Sequence, residues 1–201
     1  MISQIKRVAT GHAKRPLVLT ADRGRGKSAA LGIAAGELLN SSSLKIIVTA
    51  PTVNNLDSFY RHLGSQAQAQ AQAQAQRNMT LANGSSLSYW PLDKLTAEKP
   101  EAGLILVDEA AAFPVQMLQR LTLLYNRLVF VTTVHGYEGN GSGFEIKFKQ
   151  KLVNLMPQTR FAQLNHPIRW SDKDTLEPLI FKTFLLDCNL RDLDKTETSS
   201  F

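Results

Sequence analysis

The sequence predicts an α/β fold in which a mostly parallel sheet is covered by helices on both faces. Short apolar segments rich in β-branched residues alternate with longer, helix-compatible segments, as in a sheet wound with crossover helices. The apolar runs LVL, IIV, LILV and LVFV contain no polar residue. Strands of that composition are buried on both faces, so helices must cover both sides of the sheet.

Six segments have the composition of strands, and four longer ones are compatible with helices. PLVLT, KIIVTA, LSYW, LILVD, RLVFVTTV and RFAQLN are short, and all but the last are rich in β-branched or aromatic residues. Pro114 suits the first turn of a helix, where its missing N–H costs nothing. The predicted strands are 16–20, 45–50, 87–90, 104–108, 127–134 and 160–165, and the predicted helices are 27–39, 53–63, 114–125 and 143–155.

Length and composition predict one domain in the cytoplasm. The 201 residues, 43% of them hydrophobic, suffice for one core, which we assign to residues 1–190, with a polar tail at 191–201. No apolar run approaches the roughly twenty residues of a membrane-spanning helix, and the N-terminus does not resemble a signal peptide, so no membrane partner is expected. Cys188 is the single cysteine, which excludes an internal disulfide and fits a reducing compartment.

Two features of composition leave alternatives open. The 23 Lys and Arg residues exceed the 17 Asp and Glu residues, giving a net charge of +6 that favours a polyanionic partner but also fits simple solubility. The basic residues are spread along the sequence, and no single basic tract stands out. Residues 65–76 alternate Ala and Gln, and we expect an exposed insertion, either a frayed helix extension or disorder.

Residues 21–28, ADRGRGKS, fit the pattern of a phosphate-binding loop. They follow the predicted strand PLVLT and open a helix, so that backbone N–H groups and the helix N-terminus point at one anion. Gly24 and Gly26 permit the tight backbone, Lys27 would reach the β and γ phosphates, and the Ser28 hydroxyl would ligate Mg²⁺. The alternative is a glycine-rich turn that happens to end in Lys-Ser. By itself the loop predicts binding of ATP or GTP.

The strand end LILVDEA supplies the acidic half of such a site. Asp108 would hold Mg²⁺ through water, and Glu109 would polarise the attacking water. A pair of adjacent acids at a strand end is typical of hydrolytic, helicase-like ATPases. A surface acidic pair is the alternative.

Three further strand ends carry candidate residues. Thr49 and Thr52 in IVTAPT offer hydroxyls to a nucleic-acid backbone. Thr132 and Thr133, before the glycine-rich loop GYEGNGSG, are candidates for reading the γ-phosphate, and ordinary β-branched strand residues are the alternative. Arg169 in HPIRW could reach the γ-phosphate as an arginine finger, or could form an exposed salt bridge.

The motifs PLVLTADRGRGKSAALGIAAG, LILVDEAAAFP, TTVHGYEGNGSGFEIKF and LNHPIRW, in that order, resemble the ATPase or helicase module of the bacterial tRNA(Met) cytidine acetyltransferases. The resemblance covers residues 15–187 apart from the Ala-Gln segment. It implies a RecA-like P-loop NTPase fold, with ATP and Mg²⁺ as ligands. It also implies that ATP contacts Arg169 and the whole loop, namely Ala21, Asp22, Arg23, Gly24, Arg25, Gly26, Lys27, Ser28, Ala29 and Ala30. Thr133 is added to the predicted ATP contacts because of its place at the strand end.

The same resemblance implies a function and two partners. The family acetylates N4 of the wobble cytidine of elongator methionine tRNA from acetyl-CoA and ATP, so tRNA and a linked acetyltransferase domain are the expected partners. The 201 residues contain no counterpart of the family's acetyl-CoA-binding region, so we expect no acetylation from this chain alone. The expected function is an ATPase that remodels tRNA, and the alternative is an interaction module that senses nucleotide and hydrolyses it slowly or not at all.

Overall fold

A seven-stranded sheet forms the centre of the described part of the molecule. The computed structural model describes residues 1–22, 24–64, 78–133 and 148–164, all of which belong to one unit, Met1–Asn165. The strands are β1 (Leu17–Ala21), β2 (Lys45–Thr49), β3 (Met79–Thr80), β4 (Ser86–Tyr89), β5 (Leu104–Val107), β6 (Leu128–Thr133) and β7 (Arg160–Leu164). Their order in the sheet is β3-β4-β2-β5-β6-β1-β7.

The sheet is parallel except at one edge. Strands β4, β2, β5, β6, β1 and β7 are parallel neighbours, and only the two-residue β3 runs antiparallel, against β4. The mostly parallel α/β fold predicted from the sequence is therefore confirmed, and all six predicted strands are present. Strand β3 was not predicted, because two residues carry no periodicity to detect.

Six α-helices cover the two faces of the sheet in the described ranges. They are α1 (Ile2–Thr10), α2 (Lys27–Ser41), α3 (Asp57–Arg61), α4 (Leu92–Glu98), α5 (Val115–Leu124) and α6 (Lys149–Leu155). Helices α1, α2 and α3 pack on one face, and α4, α5 and α6 pack on the other. None of the helices in these ranges is long and apolar enough to cross a bilayer.

Alternate residues of each strand enter the two cores. Leu104 and Leu106 of β5 face the α1–α3 side, whereas Ile105 and Val107 face the α4–α6 side. The crossover from β1 to β2 and the crossover from β5 to β6 run in opposite directions along the sheet. Because parallel crossovers are right-handed, helices α2 and α5 must lie on opposite faces.

Three helical features differ from the prediction. Helices α1 and α4 were not predicted; α1 is held by Ile5, Val8 and Ala9, which pack into the core beside α2. The segment predicted as one helix over 53–63 is a 3-10 turn, Val53–Leu56, followed by the short α3. Short helices of this kind depend on tertiary packing more than on intrinsic propensity. The Ala-Gln segment and the polar tail lie outside the described residues.

Helix α2 packs unusually closely on the α3 segment through two glycines. A Cβ built on Gly32 would lie 2.2 Å from the carbonyl oxygen of Phe59, and one built on Gly36 would lie 1.9 Å from that of Leu63. Real Cβ atoms do not approach carbonyl oxygens so closely. The two glycines thus allow the helix that begins at the predicted phosphate loop to lie directly against the next segment.

Candidate nucleotide-binding site

The glycine-rich loop connects the end of β1 to the start of α2, as the sequence predicts. Gly24 and Gly26 have φ values of +83° and +72°, in the left-handed region that glycine adopts without strain. Gly26 is the residue before α2, and its carbonyl accepts the first helical hydrogen bond, from Ala30 N over 2.9 Å. The N–H groups of the first turn lie before that bond and have no intrahelical acceptor, which suits them to an anion.

Lys27 lies folded over the loop that it follows. Its ammonium donates to the carbonyl oxygen of Asp22 over 3.1 Å and lies 3.4 Å from that of Ala21. The residue is only 6% exposed. The positive charge is therefore held at the carboxyl end of β1, against the backbone of the loop.

The second arginine of the loop pairs with an acid of the same loop. Arg25 is 8% exposed, and its Nη2 lies 3.7 Å from Oδ2 of Asp22. Such a contact between residues three apart connects the start of the loop to its end. It gives Arg25 a role in holding the loop that the motif pattern did not reveal.

Asp108 follows β5 and is fully buried. Burial raises the pKa of its carboxyl to about 6. The hydrogen bond with the Ser28 hydroxyl and the positive charge of Lys27 lower this pKa, whereas the negative charge of Glu109 raises it. Oδ1 accepts a hydrogen bond from the backbone N–H of Glu109 over 3.0 Å. Oδ2 accepts none from the residues that the structure describes.

The fit of this pair to Mg²⁺ can be judged from its oxygens. Magnesium prefers oxygen ligands, keeps several waters and is usually held by one or two protein groups together with substrate phosphates. The Ser28 hydroxyl and the buried, unpartnered Oδ2 of Asp108 supply such a set beside the phosphate loop. No cluster of three His, Cys, Asp or Glu side chains occurs in the described ranges. Ser28 and Asp108 stay the predicted magnesium ligands.

Glu109 has an unusual backbone conformation and a specific side-chain partner. Its φ and ψ are +49° and +50°, which is left-handed backbone in a residue that is not glycine. Its carboxylate accepts a hydrogen bond from the Thr133 hydroxyl, with 3.2 Å between Oγ1 and Oε2. Thr133 is the last residue of β6, the neighbour of β5, so the sheet itself orients this carboxylate.

Thr132 supports the turn that follows Glu109. Its Oγ1 accepts a hydrogen bond from the N–H of Ala111 over 3.1 Å, within the 3-10 turn Ala110–Ala112. The hydroxyl of Thr132 is thus engaged with protein backbone. The sequence suggested both threonines as readers of the γ-phosphate and missed their contacts with the Glu109–Ala112 segment, which depend on the pairing of β5 with β6.

The two threonines of IVTAPT lie in different environments. Thr49 is fully buried, and its backbone carbonyl accepts the N–H of Asp108 over 2.9 Å. A buried hydroxyl cannot contact a nucleic-acid backbone, so that expectation for Thr49 is wrong in this conformation. Thr52 is exposed and its hydroxyl bonds to the Asn55 side chain, so it is accessible to a ligand.

Some predicted residues lie outside the described part of the chain. These are Arg23, the loop GYEGNGSG and the segment HPIRW with Arg169. Within the described part, Lys27 and Ser28 converge with Asp108 and Glu109 from β5, at the carboxyl edge of the parallel sheet, where α/β proteins bind their ligands. The mostly parallel sheet, with the glycine-rich loop after β1, is the fold of the RecA-like P-loop class.

Comparison with known proteins assigns the family. A model of the family described as RNA cytidine acetyltransferase NAT10/TcmA, helicase domain, matches residues 18–187. The chain therefore belongs to this helicase-domain family, and the resemblance drawn from its motifs is confirmed.

Individual relatives show how much of a longer protein the chain covers. The tRNA(Met) cytidine acetyltransferase TmcA of Vibrio cholerae is 46% identical over 189 residues, which are 94% of this chain and 26% of that protein. The enzyme of the same name from Thermofilum pendens is 32% identical over 200 residues, covering 92% and 25% respectively. The chain thus spans about a quarter of the length of these relatives. Among solved structures, the ATPase domain of a Thermus phage large terminase is similar, with a TM-score of 0.46, 15% identity and 79% coverage of each chain.

Proposed function

We propose that this chain binds ATP with Mg²⁺ and hydrolyses it to remodel tRNA. In this proposal it serves a linked acetyltransferase domain that acetylates N4 of the wobble cytidine of elongator tRNA(Met) in the cytoplasm. The observation that carries the proposal is the convergence of Lys27 and Ser28 from one strand end with Asp108 and Glu109 from another. Family membership supports tRNA modification as the setting.

The phosphates of ATP would lie over the loop. Gly24 and Gly26 keep the backbone tight enough for its N–H groups, and those of the first turn of α2, to point at the β-phosphate. Lys27 is already held against the loop by the carbonyls of Ala21 and Asp22. Exchanging those carbonyls for charged phosphate oxygens gives the ammonium stronger, charge-assisted hydrogen bonds.

The reactive end of the site lies between Ser28 and the acid pair. Mg²⁺, when bound, neutralises charge that develops on the phosphate oxygens. The Ser28 hydroxyl would hold it directly and Asp108 through water. Glu109 would orient the attacking water and polarise it, and its carboxylate is held in place for that task by the Thr133 hydroxyl. Arg169 is proposed to reach the γ-phosphate.

The work done by hydrolysis would be the exposure of a base. Taking one nucleotide out of the stack in a folded anticodon loop costs about a few kcal/mol, which ATP hydrolysis can supply. An enzyme that modifies a base edge needs such exposure, because the edge is otherwise paired or stacked. This is the physical reason to join an ATPase module to an acetyltransferase domain.

The test is ATP turnover by the 201-residue chain, with and without an elongator methionine tRNA transcript. Lys27→Ala should lose ATP binding and turnover together. Glu109→Gln should retain ATP binding but lose turnover by about 100-fold or more, because only the activation of water is removed. Stimulation of the parent by tRNA would link hydrolysis to RNA.

Two results would decide against this proposal. If the parent binds ATP but shows no turnover under any RNA condition, the chain is a nucleotide-sensing interaction module instead. If Glu109→Gln turns over ATP as fast as the parent, Glu109 does not activate the water.

A further inference from the structure

A small basic cavity lies near the amino-terminal ends of β1 and β7, whereas the nucleotide site lies at the carboxyl ends of the strands. It has a volume of about 160 Å³ and is lined by Arg7, Arg15 and Arg160, with His12 and Gln4 beside them. These residues come from α1, from the segment before β1 and from the start of β7. The five residues of β1 span four steps of ~3.3 Å, so about 13 Å of strand separate the cavity from the phosphate loop.

The walls of the cavity are held by hydrogen bonds across the fold. The N–H of Arg160 donates to the carbonyl of Pro16 over 2.9 Å, which joins the start of β7 to the start of β1. Arg127 donates from Nη2 to the carbonyl of Gly11 over 3.0 Å, and thereby fixes the end of α1. Nε of Arg15 donates to the side chain of Gln158. The cavity is therefore a built feature of the fold and does not depend on one mobile side chain.

The charged side chains that line the cavity in the described part of the chain are all basic. Residues 1–21 and 148–164 contain seven Lys and Arg residues and no Asp or Glu, although the whole chain has a net charge of only +6. The parallel pairing of β1 with β7 brings these two segments together. Lys6 pairs with Glu37 of α2, but Arg7 and Arg160 form no ion pair with any residue that the structure describes.

We propose that this cavity binds a phosphate group of an RNA backbone, as a second contact for the tRNA of the proposed function, on which this inference rests. Guanidinium groups present planar pairs of donors that match phosphate oxygens, and three of them converge here. The cavity lies at the start of β1 and the phosphate loop lies at its end. A phosphate bound in the cavity is therefore not a phosphate of the nucleotide bound at the loop. A concave site that admits one anion favours a phosphate over the scattered carboxylates of an acidic protein surface.

The test compares two double variants of the 201-residue chain. R7Q/R160Q removes two charges from the cavity, and K94Q/R120Q removes two exposed charges from α4 and α5 on the other face. Binding of a fluorescent elongator methionine tRNA transcript is followed by anisotropy between about 50 and 300 mM KCl. All four side chains are exposed, so the thermal unfolding midpoints should stay close to that of the parent.

The proposal expects a specific loss in the first variant. R7Q/R160Q should bind the tRNA about tenfold more weakly or worse near 100 mM salt, and its salt slope should fall by about 1, as for one lost phosphate contact. K94Q/R120Q should change affinity by less than about threefold, because exposed charges away from the RNA are screened. Equal effects of the two variants on affinity and slope would overturn the proposal. So would unchanged tRNA binding by R7Q/R160Q combined with weaker retention on poly-L-glutamate, which would assign the cavity to an acidic protein.

Failure of this inference can be told apart from failure of the proposed function. ATP turnover without RNA should be unchanged in R7Q/R160Q, because the cavity is remote from the loop. A parent that does not hydrolyse ATP, yet loses tRNA binding in this variant, would refute the hydrolase and keep the cavity. If tRNA stimulates ATP turnover by the parent, but R7Q/R160Q binds tRNA as well as the parent does, the hydrolase is kept and the role of the cavity is refuted.

Discussion

The Thr133 hydroxyl and the Glu109 carboxylate are joined by a hydrogen bond of 3.2 Å between residues 24 positions apart in the chain. Thr133 ends β6, and Glu109 is the second residue after β5, so neighbouring parallel strands bring the two side chains together. The contact orients the carboxylate toward the end of β6.

Removing this hydroxyl should impair hydrolysis more than binding. Thr133→Val keeps the shape of the side chain but not its donor, so Glu109 loses its orientation and kcat should fall about 10- to 100-fold. Thr133→Ser keeps the donor and should retain most of the activity. The measurement is steady-state ATP turnover alongside the affinity for a non-hydrolysable ATP analogue. A serine variant as impaired as the valine variant would show that the hydroxyl is not what matters.

The left-handed backbone at Glu109 should make glycine the more stable residue at that position. Left-handed backbone costs a non-glycine residue about 1 to 2 kcal/mol of folding free energy. Glycine avoids this cost, but part of its advantage is offset because its unfolded chain has more conformational freedom. Glu109→Gly should therefore be about 1 kcal/mol more stable to urea than Glu109→Ala, though both lack activity. Lys99, at φ +53° after α4, is the matched control and should show the same order for Lys99→Gly and Lys99→Ala.

Asp108 should lower the stability of the fold as the pH rises. Its pKa is near 3.8 when unfolded and about 6 when folded, because burial disfavours the charge. The folded state thus binds the extra proton between these values, and stability falls as the pH rises from about 4 to 6. Asp108→Asn avoids this loss and should be about 2 to 3 kcal/mol more stable at pH 7, with no advantage at pH 4.

Urea unfolding of both proteins across this pH range, with EDTA and without nucleotide, measures that difference. Taking the difference between the two proteins removes the contribution of the other titrating groups. An advantage of Asp108→Asn that is constant with pH would mean that the carboxyl titrates normally in the folded protein.

The pair Asp22 and Arg25 should contribute to stability as a unit. Its partners are mostly buried and lie 3.7 Å apart. A cycle of Asp22→Asn, Arg25→Gln and the double variant should give a coupling energy of about 1 kcal/mol in urea unfolding. Additivity within about 0.3 kcal/mol would exclude the pair as a brace of the loop.

Alanine at Gly36 should destabilise the protein, against the usual effect of this change. Within a helix, alanine is normally better than glycine by about 0.5 to 1 kcal/mol. Here the new Cβ would meet the Leu63 carbonyl oxygen at 1.9 Å, and the resulting shift should cost about 1 to 3 kcal/mol in urea unfolding. Asn40→Ala, at an exposed position of the same helix, should be neutral or slightly stabilising. A stabilising Gly36→Ala would show that α2 can move away from α3.

The sequence by itself determined the six main strands, the parallel class of the sheet and the position of the phosphate loop. These features are local, because strand composition and the spacing ADRGRGKS are readable within a few residues. The adjacent pair Asp108 and Glu109 was readable for the same reason.

The tertiary structure alone decided which side chains meet. Thr133 reaches Glu109 because β6 lies beside β5, and the basic cavity forms because β7 returns beside β1, which joins Arg15 to Gln158 across 143 positions. The same pairing gathers charges that are spread along the sequence. Contacts of this kind depend on strand order and on the face from which each helix packs. A linear pattern does not contain that information, because many strand orders satisfy the same local preferences.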